Sequence, residues 1–312
     1  MKFAVIGTGG VGGYFGGKLA KAGEDVWFLA RGKHLEAMRT NGLRVNSPDG
    51  DWMVPAGKMT DNPQEIGEVD VILFSVKSYD TESAAQRLAS LLTEKTIIIC
   101  LQNGVDNEEK IQRAIPRGTV FGGVSYIYST ITASGVITHT PGPTKIVFGE
   151  MTKQDATTSQ RAQQILETMT KAGINVSLAE NIQTELWKKF VFISAVGGLT
   201  ALTRLTLGEI LAVDATREML SDAMRETEAV GRAKGVSLPP NFTDQVFVLL
   251  KNYDNNSRSS MYHDLVHQRP MEVEAFSGTV IRYGKELNVP TPVHRVIYAA
   301  LLPYHLKHKA AQ

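Results

Sequence analysis

A glycine-rich turn near the start of the chain constrains the fold more than any other feature of the sequence. Residues 7–12 read GTGGVG, a GxGxxG pattern, and they follow an apolar strand predicted over Lys2–Ile6. A helix predicted over residues 11–22 begins inside the pattern, and a second apolar strand follows at residues 26–30. In such a βαβ unit the glycines make the turn, let the backbone approach a pyrophosphate, and allow close packing of the helix. The alternative is a glycine-rich turn of an unrelated α/β protein.

This context predicts a Rossmann-type, doubly wound sheet that binds a dinucleotide. The helix that follows the turn would direct its N-terminus at the pyrophosphate. The residues predicted to form this phosphate loop are Gly7, Thr8, Gly9, Gly10, Val11 and Gly12.

The hydropathy pattern changes near residue 181. Before it, short apolar runs alternate with helical periods, which is typical of α/β proteins with a mainly parallel sheet. A hairpin is predicted over residues 43–54, and residues 135–140 and 145–149 are predicted to pair as antiparallel strands. After it, long helical periods follow one another. We therefore expect a nucleotide-binding domain over residues 1–180 and an all-helical substrate and catalytic domain over residues 181–312.

Composition excludes several classes of function. The 33 Lys and Arg residues balance 32 Asp and Glu residues, so no field of one sign would attract nucleic acid or a membrane surface. The apolar run at 190–202 is shorter than the roughly 20 residues that a bilayer requires, and it is predicted as a buried helix. The single cysteine, Cys100, excludes an intrachain disulfide and fits a cytoplasmic protein. His263 and His267 lack further ligands at suitable spacing, so no metal site is predicted.

Polar side chains follow three predicted strands of the sheet. Arg31 stands where a carboxylate would accept hydrogen bonds from the adenine ribose, and its guanidinium complements a 2′-phosphate. The sequence therefore predicts NADP in preference to NAD; the alternative is that Arg31 is a solvated loop cation. Lys77 follows the strand at 69–76, and Asn103 follows the strand at 96–101. Asn103 can contact nicotinamide or substrate, or it can belong to an ordinary Asn-Gly turn.

Lys189 is a candidate catalytic residue because it precedes an apolar helical run. Helical spacing places it on one face with Phe192, Ile193 and Val196, where burial would lower its pKa. Such a lysine can act as a general acid or polarise a carbonyl group. The alternative is a surface ion pair with Glu185, four residues earlier on the same helix.

Two candidate residues come from the C-terminal part of the chain. A helix predicted over residues 273–287 places Glu272 at the border of its apolar face and Glu274 towards solvent. Glu272 is therefore the better candidate for a site. Ser260 lies near a predicted helix start, where it could contact a ligand or cap the helix.

Together these motifs resemble the ketopantoate reductase (2-dehydropantoate 2-reductase) family over essentially the whole chain. The matching segments, in order, are GTGGVGGYFGGKLAKAG, FLARG, SVKSYD, CLQNGVDNEE, ELWKKF, SRSSMYHDL and RPMEVEAFSG. The resemblance implies a Rossmann domain followed by a helical domain similar to the C-terminal part of 6-phosphogluconate dehydrogenases.

The resemblance also implies a role for each candidate. Lys189 matches the general acid, and Glu272 matches an acid that engages the active site and the cofactor. Asn103 and Ser260 match substrate-contacting positions, and Asn103 also faces the cofactor. Arg31 matches the 2′-phosphate contact and Lys77 a further cation beside the cofactor.

One departure from the family concerns the substrate. Other members carry asparagines one and two turns after the catalytic lysine, whereas this chain has Ile193 and Gly197, which are candidate substrate-binding residues. The leading expectation is NADPH-dependent reduction of 2-dehydropantoate to D-pantoate in pantothenate and coenzyme A biosynthesis, and a homodimer is the expected oligomeric state. The alternatives are reduction of a different, more hydrophobic 2-oxo acid, as in D-2-hydroxy-acid dehydrogenases, and a non-catalytic NADP-binding regulator.

Overall fold

The computed structural model describes residues 1–152, 156–250 and 253–311, and the chain divides into two units. The first, the sheet unit, comprises Met1–Gln102 and Asn107–Ile182. The second, the helical unit, comprises Gln183–Gln312 together with the short segment Asn103–Asp106. The loop that contains Asn103 thus belongs to the same unit as Lys189, although 86 residues separate them in sequence.

Twelve strands are described in the sheet unit: β1 (Lys2–Ile6), β2 (Asp25–Leu29), β3 (Leu43–Asn46), β4 (Trp52–Val54), β5 (Met59–Thr60), β6 (Val71–Phe74), β7 (Ile97–Cys100), β8 (Thr119–Tyr126), β9 (Ser129–Ala133), β10 (Val136–His139), β11 (Lys145–Glu150) and β12 (Val176–Leu178). Its described helices are α1 (Gly10–Lys21), α2 (Gly32–Asn41), α3 (Thr81–Gln86), α4 (Asn107–Ala114) and α5 (Ala156–Lys171).

The larger sheet has the strand order β12-β11-β8-β7-β6-β1-β2-β5. Its strands run parallel except where β8 meets β11. Successive residues of β1 alternate between two apolar cores, because Phe3 and Val5 face one core while Ala4 and Ile6 face the other. A parallel sheet is normally covered on both faces, and this alternation shows that both are. The predicted fold class, an N-terminal parallel α/β sheet followed by helices, is confirmed.

Register aligns the carboxyl ends of four neighbouring strands. Ile6 of β1 pairs with Leu29 of β2 and with Phe74 of β6, and Phe74 pairs with Cys100 of β7. The residues that leave these strands therefore start from one edge of the sheet. In doubly wound sheets this is the edge at which ligands bind.

A smaller sheet with the order β4-β3-β10-β9 lies on the other side of α1. The predicted hairpin is confirmed as β3 and β4. The predicted antiparallel pairing of residues 135–140 with 145–149 is wrong, because β10 pairs with β3 and β9 while β11 pairs with β8 and β12. Partners distant in sequence determine the pairing, and the Pro141–Pro143 turn carries the chain from one sheet to the other.

The glycines of α1 allow the helix to lie between the two sheets. A Cβ at Gly16 would lie 2.5 Å from Cγ2 of Val5 in β1, whereas a Cβ at Gly13 would lie 2.8 Å from Cγ1 of Ile137 in β10. Neither distance is compatible with a larger side chain. The glycines beyond the GxGxxG pattern are therefore explained by packing against both sheets.

The helical unit contains α6 (Ile182–Thr203), α7 (Leu207–Ala212), α8 (Asp214–Ala233), α9 (Phe242–Leu250), α10 (Ser260–Val266), α11 (Thr279–Glu286) and α12 (Pro292–Ala310). Helix α6 contains the apolar run at 190–202. By length and composition it could cross a membrane, but 67% of its apolar window is buried in the protein, so it is only weak evidence for a membrane span.

The helix predicted over residues 273–287 is interrupted. A π-helical turn over Glu274–Gly278 precedes α11, and the Gly278 N–H donates to the Val273 carbonyl at 3.0 Å, five residues back. The sequence pattern, which assumes 3.6 residues per turn, could not show this insertion. Such turns occur frequently at functional sites, and this one begins two residues after Glu272.

Candidate functional site

The phosphate loop of the sheet unit has the geometry that a pyrophosphate needs. Gly7 has a φ of +94°, and a Cβ there would lie 2.7 Å from the Val76 backbone nitrogen. Gly9 caps α1, and a Cβ at Gly9 would meet nothing within 4 Å. The space in front of a helix N-terminus attracts anions because backbone N–H groups point into it. The loop therefore fits the pyrophosphate of a dinucleotide.

Hydrogen bonds hold this loop against the end of β2. The backbone N–H groups of Gly7 and Thr8 and the Thr8 hydroxyl all donate to the Leu29 carbonyl, at 3.3, 3.3 and 3.0 Å. Arg31, which is predicted to contact the 2′-phosphate, comes two residues after Leu29, so the loop and Arg31 lie at the end of the same strand.

Arg31 forms an ion pair that the sequence did not indicate. Its Nη2 lies 2.8 Å from Oδ2 of Asp80, and 79% of the Arg31 side chain is exposed. Asp80 lies in the short 3₁₀ turn Ser78–Asp80, which Lys77 precedes as the N-cap residue. An exposed ion pair contributes about 0–1 kcal/mol, so it holds Arg31 only weakly. The guanidinium is thus oriented at the sheet edge and remains accessible to an anion.

Lys189 of α6 contacts Asn103 in the helical unit. Its Nζ donates to Oδ1 of Asn103 at 2.7 Å, and the lysine side chain is partly buried. Glu185, the alternative partner of Lys189, pairs with Lys188 at 2.7 Å. The surface ion pair expected on this helix therefore involves the neighbouring lysine.

Burial lowers the pKa of Lys189 from 10.5 to about 8, and the negative charge of Glu272 opposes part of that change. Glu272 itself is buried, with 5% of its surface exposed. The structure thus combines Lys189, Asn103 and the charge of Glu272 in one unit, although they come from three distant parts of the sequence. A lysine with a pKa near 8 can donate a proton close to neutral pH.

Ser260 is the first residue of α10, and its neighbour Ser259 has the capping role. The Ser259 hydroxyl accepts from the Tyr262 N–H at 3.1 Å and from the Thr200 hydroxyl at 2.7 Å. The bond from Thr200 attaches the start of α10 to α6. Ser260 is exposed at that position.

Ile193 and Gly197 lie one and two turns after Lys189 on α6. Ile193 is partly buried. A Cβ at Gly197 would lie 3.2 Å from the ring of Phe276, which belongs to the π-helical turn. The space that a side chain at position 197 would occupy is thus taken up by Phe276. Gly197 allows the aromatic ring to pack against α6.

Sequence reasoning also missed an ion pair between a buried aspartate, three residues after Asn103, and a half-exposed arginine. Asp106 is 3% exposed in its side chain, and its Oδ2 lies 2.6 Å from Nη2 of Arg282 on α11. The available signal was the aspartate in the segment NGVD, directly after the apolar residue Val105. Nothing in the sequence indicated its partner, because 176 residues separate the two.

Comparisons with known proteins identify the same family in both halves of the chain. The family model described as Ketopantoate reductase PanE/ApbA matches residues 3–153, and the model described as Ketopantoate reductase PanE/ApbA C terminal matches residues 181–305. The chain is 31% identical to the uncharacterized oxidoreductase YkpB of Bacillus subtilis, over 97% of this chain and 99% of that protein. It is 30% identical to the 2-dehydropantoate 2-reductase of Nostoc sp., over 96% and 94%.

Solved structures agree with this assignment. A PanE/ApbA family ketopantoate reductase from Ralstonia eutropha superposes with a TM-score of 0.89 at 29% identity, covering 99% of this chain and 100% of the other. A dimeric ketopantoate reductase from Staphylococcus aureus has a TM-score of 0.79 at 25% identity, with coverages of 99% and 100%. A D-mandelate dehydrogenase, at 20% identity with coverages of 99% and 99%, shares the fold with a TM-score of 0.89. The chain is an oxidoreductase that belongs to the ketopantoate reductase family.

Proposed function

We propose that this protein reduces 2-dehydropantoate to D-pantoate with NADPH, a reaction of pantothenate and coenzyme A biosynthesis. The observation that carries the proposal is the bond from Lys189 to Asn103, at a lysine whose pKa burial lowers to about 8. Both residues lie in segments that resemble the family's motifs. The relative from Nostoc, named as a 2-dehydropantoate 2-reductase, supports the choice of substrate.

NADPH, when bound, supplies a hydride for the 2-oxo carbon. Lys189 then donates a proton to the oxygen of that carbonyl group, where negative charge develops only as the bond is reduced. Asn103 holds the lysine ammonium through its Oδ1, and Glu272 keeps the ammonium charged against the effect of burial. Ser260 would contact the substrate.

The sheet unit would hold the nucleotide. In this proposal Gly7, Gly9 and the N-terminus of α1 bind the pyrophosphate, and Thr8, Gly10, Val11 and Gly12 complete the loop. Arg31 would bind the 2′-phosphate and Lys77 would add a second cation. The residues of the helical unit that the family resemblance assigns to the nicotinamide end are Asn103 and Glu272. The open space at Gly9 and the accessible guanidinium of Arg31 support this assignment.

A second candidate function is the reduction of another 2-oxo acid with an alkyl or aryl substituent. Ile193 supports it, because this side chain lies one turn from Lys189 and cannot form hydrogen bonds with a polar substrate. A non-catalytic NADP-binding regulator is the third possibility. The desolvated Lys189 with its partner Asn103 argues against a regulator, since binding alone requires neither.

We also propose that the protein is a cytoplasmic homodimer that acts on a small molecule. The dimeric relative from Staphylococcus aureus supports the oligomeric state. The balanced charge and the single cysteine favour the cytoplasm and give no reason to expect binding to nucleic acid or a membrane.

The proposal is tested by following NADPH absorbance with purified protein and 2-dehydropantoate, beside phenylglyoxylate, other 2-oxo acids and NADH. We expect the highest kcat/KM for 2-dehydropantoate with NADPH. A higher value for another acid would favour the second candidate. Binding of NADPH without turnover of any acid would favour the regulator.

The pH dependence of the reduction follows from the pKa of Lys189. The protonated lysine is the active form of a general acid, so kcat/KM is expected to fall as pH rises through about 8. Because the charge of Glu272 raises the lysine pKa, Glu272→Gln should move this decline to lower pH. Initial rates between about pH 6 and pH 11 give the profile. A decline near the ordinary lysine value of 10.5 would contradict the role of burial.

A further inference from the structure

The segment Asn103–Asp106 belongs to the helical unit although its neighbours in sequence belong to the sheet unit. One end of this segment carries Asn103, which accepts the hydrogen bond of Lys189. Its other end carries Asp106, whose side chain is 3% exposed. The attachment of Asp106 therefore constrains where Asn103 can lie.

Helix α11 supplies that attachment. Oδ2 of Asp106 accepts from Nη2 of Arg282 at 2.6 Å and from the hydroxyl of Thr279 at 3.3 Å. The same Arg282 Nη2 donates to the Thr279 hydroxyl at 3.3 Å. Burying a carboxylate costs free energy unless the group is paired and hydrogen-bonded. Moving Asp106 away from Arg282 would therefore be unfavourable, and the ion pair holds the segment in place.

Helix α11 also packs against the helix that carries Lys189. The guanidinium of Arg282 lies 5.1 Å from the ring centroid of Tyr283. The Tyr283 ring in turn lies 6.4 Å from the ring of Trp187, two residues before Lys189 on α6. Trp187 packs edge to face on Phe190, the residue after Lys189. Arg282 thus connects the segment that carries Asn103 to the part of α6 that carries Lys189.

We propose that Asp106 and Arg282 are positioning residues, whose ion pair sets Asn103 against the ammonium of Lys189. The inference rests on the proposed reductase function, since it assigns the pair an effect on the proton-transfer step. In this proposal neither Asp106 nor Arg282 contacts substrate or cofactor. We call the Asp106–Arg282 ion pair the clamp. Displacements of about 1 Å in a catalytic group can lower a rate by about 100-fold, so loss of the clamp is expected to lower kcat measurably.

The first experiment compares the kinetics of Asp106→Asn and Arg282→Met with those of the unmodified protein. Each is expected to lower kcat by about tenfold. KM for NADPH should change by less than about twofold, because the phosphate loop and Arg31, which would bind the phosphates of the nucleotide, belong to the sheet unit. Arg282→Lys, which retains the positive charge, should restore part of kcat. Equal kcat in all four proteins would overturn the proposal.

A double-mutant cycle separates positioning from general destabilisation. If Asp106 acts through Asn103, then adding Asp106→Asn to Asn103→Ala should lower kcat little further. Fully additive losses would overturn the proposal. Arg232→Met is the matched control, because Arg232 pairs with Glu228 at 2.6 Å in the same unit. This control should retain kcat even if it lowers the melting temperature.

Hydrogen exchange of the full-length protein gives a readout that does not depend on turnover. Amides of residues 103–106 should exchange faster in Asp106→Asn and Arg282→Met than in the unmodified protein, but not in Arg232→Met. Unchanged exchange would overturn the clamp even if no 2-oxo acid is reduced. Conversely, faster exchange in a protein that reduces none of the acids would support the clamp on the segment, overturn its effect on catalysis, and refute the reductase function.

Discussion

Lys189→Ala is expected to lower kcat for the reduction of 2-dehydropantoate by about 10²–10⁴-fold, the contribution that a positioned general acid typically makes. The reason is that the ammonium of Lys189 supplies the proton for the carbonyl oxygen and stabilises its developing charge. NADPH affinity, measured by nucleotide fluorescence, should change little because the phosphate loop lies in the other unit. Initial rates at saturating NADPH give kcat.

Lys188→Ala is the matched control for this prediction. Lys188 precedes Lys189 on the same helix, but it pairs with Glu185 at 2.7 Å. A partly exposed ion pair contributes little to stability, so this variant should remain folded. Lys188 has no role in the proposed reaction, so turnover should be nearly normal. Nearly normal turnover in Lys189→Ala as well would remove Lys189 from the mechanism and leave the assignment of Asn103 without its basis.

The parts of the fold that sequence predicted correctly depend on neighbours in the chain. The β1–α1–β2 unit is such a part, because its strand, turn and helix signals follow one another without interruption. The hairpin of β3 and β4 is another. Pairing of β10 and β11 was predicted wrongly by the same local reasoning, since the Pro141–Pro143 turn resembles a hairpin turn. Their actual partners lie far away in sequence, and no local pattern specifies them.

Prediction of the candidate site had a similar limit. Helical spacing identified Lys189 as a lysine on an apolar face, but it left open an ion pair between Lys189 and Glu185. Only the folded chain shows that Glu185 pairs with Lys188 and that Asn103 accepts from Lys189. Periodicity also placed Glu272 near the apolar face but could not reveal the π-helical turn that follows it. Contacts between residues that are far apart in sequence are visible only in the structure.

Arg31→Ala is expected to raise KM for NADPH by about 10–100-fold and to leave KM for NADH within about threefold, so that the preference for NADPH disappears. A hydrogen bond from a charged group to phosphate contributes about 1.5–3 kcal/mol, which corresponds to this range. The variant also leaves Asp80 without the guanidinium that now lies 2.8 Å from it. Its carboxylate would repel a 2′-phosphate and could accept hydrogen bonds from the free ribose hydroxyls of NADH, which adds to the change in selectivity.

Arg39→Ala tests whether this effect is specific. Arg39 lies on α2, the helix that begins directly after Arg31, and it also pairs with an aspartate, Asp61, at 3.0 Å. Loss of Arg39 removes the same charge from the same unit, so a general electrostatic effect on the nucleotide would appear in both variants. We expect the ratio of the two KM values to change only in Arg31→Ala. If that ratio stays at its original value in Arg31→Ala, then Arg31 is a solvated cation and the preference for NADP must depend on Lys77 or on other groups at the same edge of the sheet.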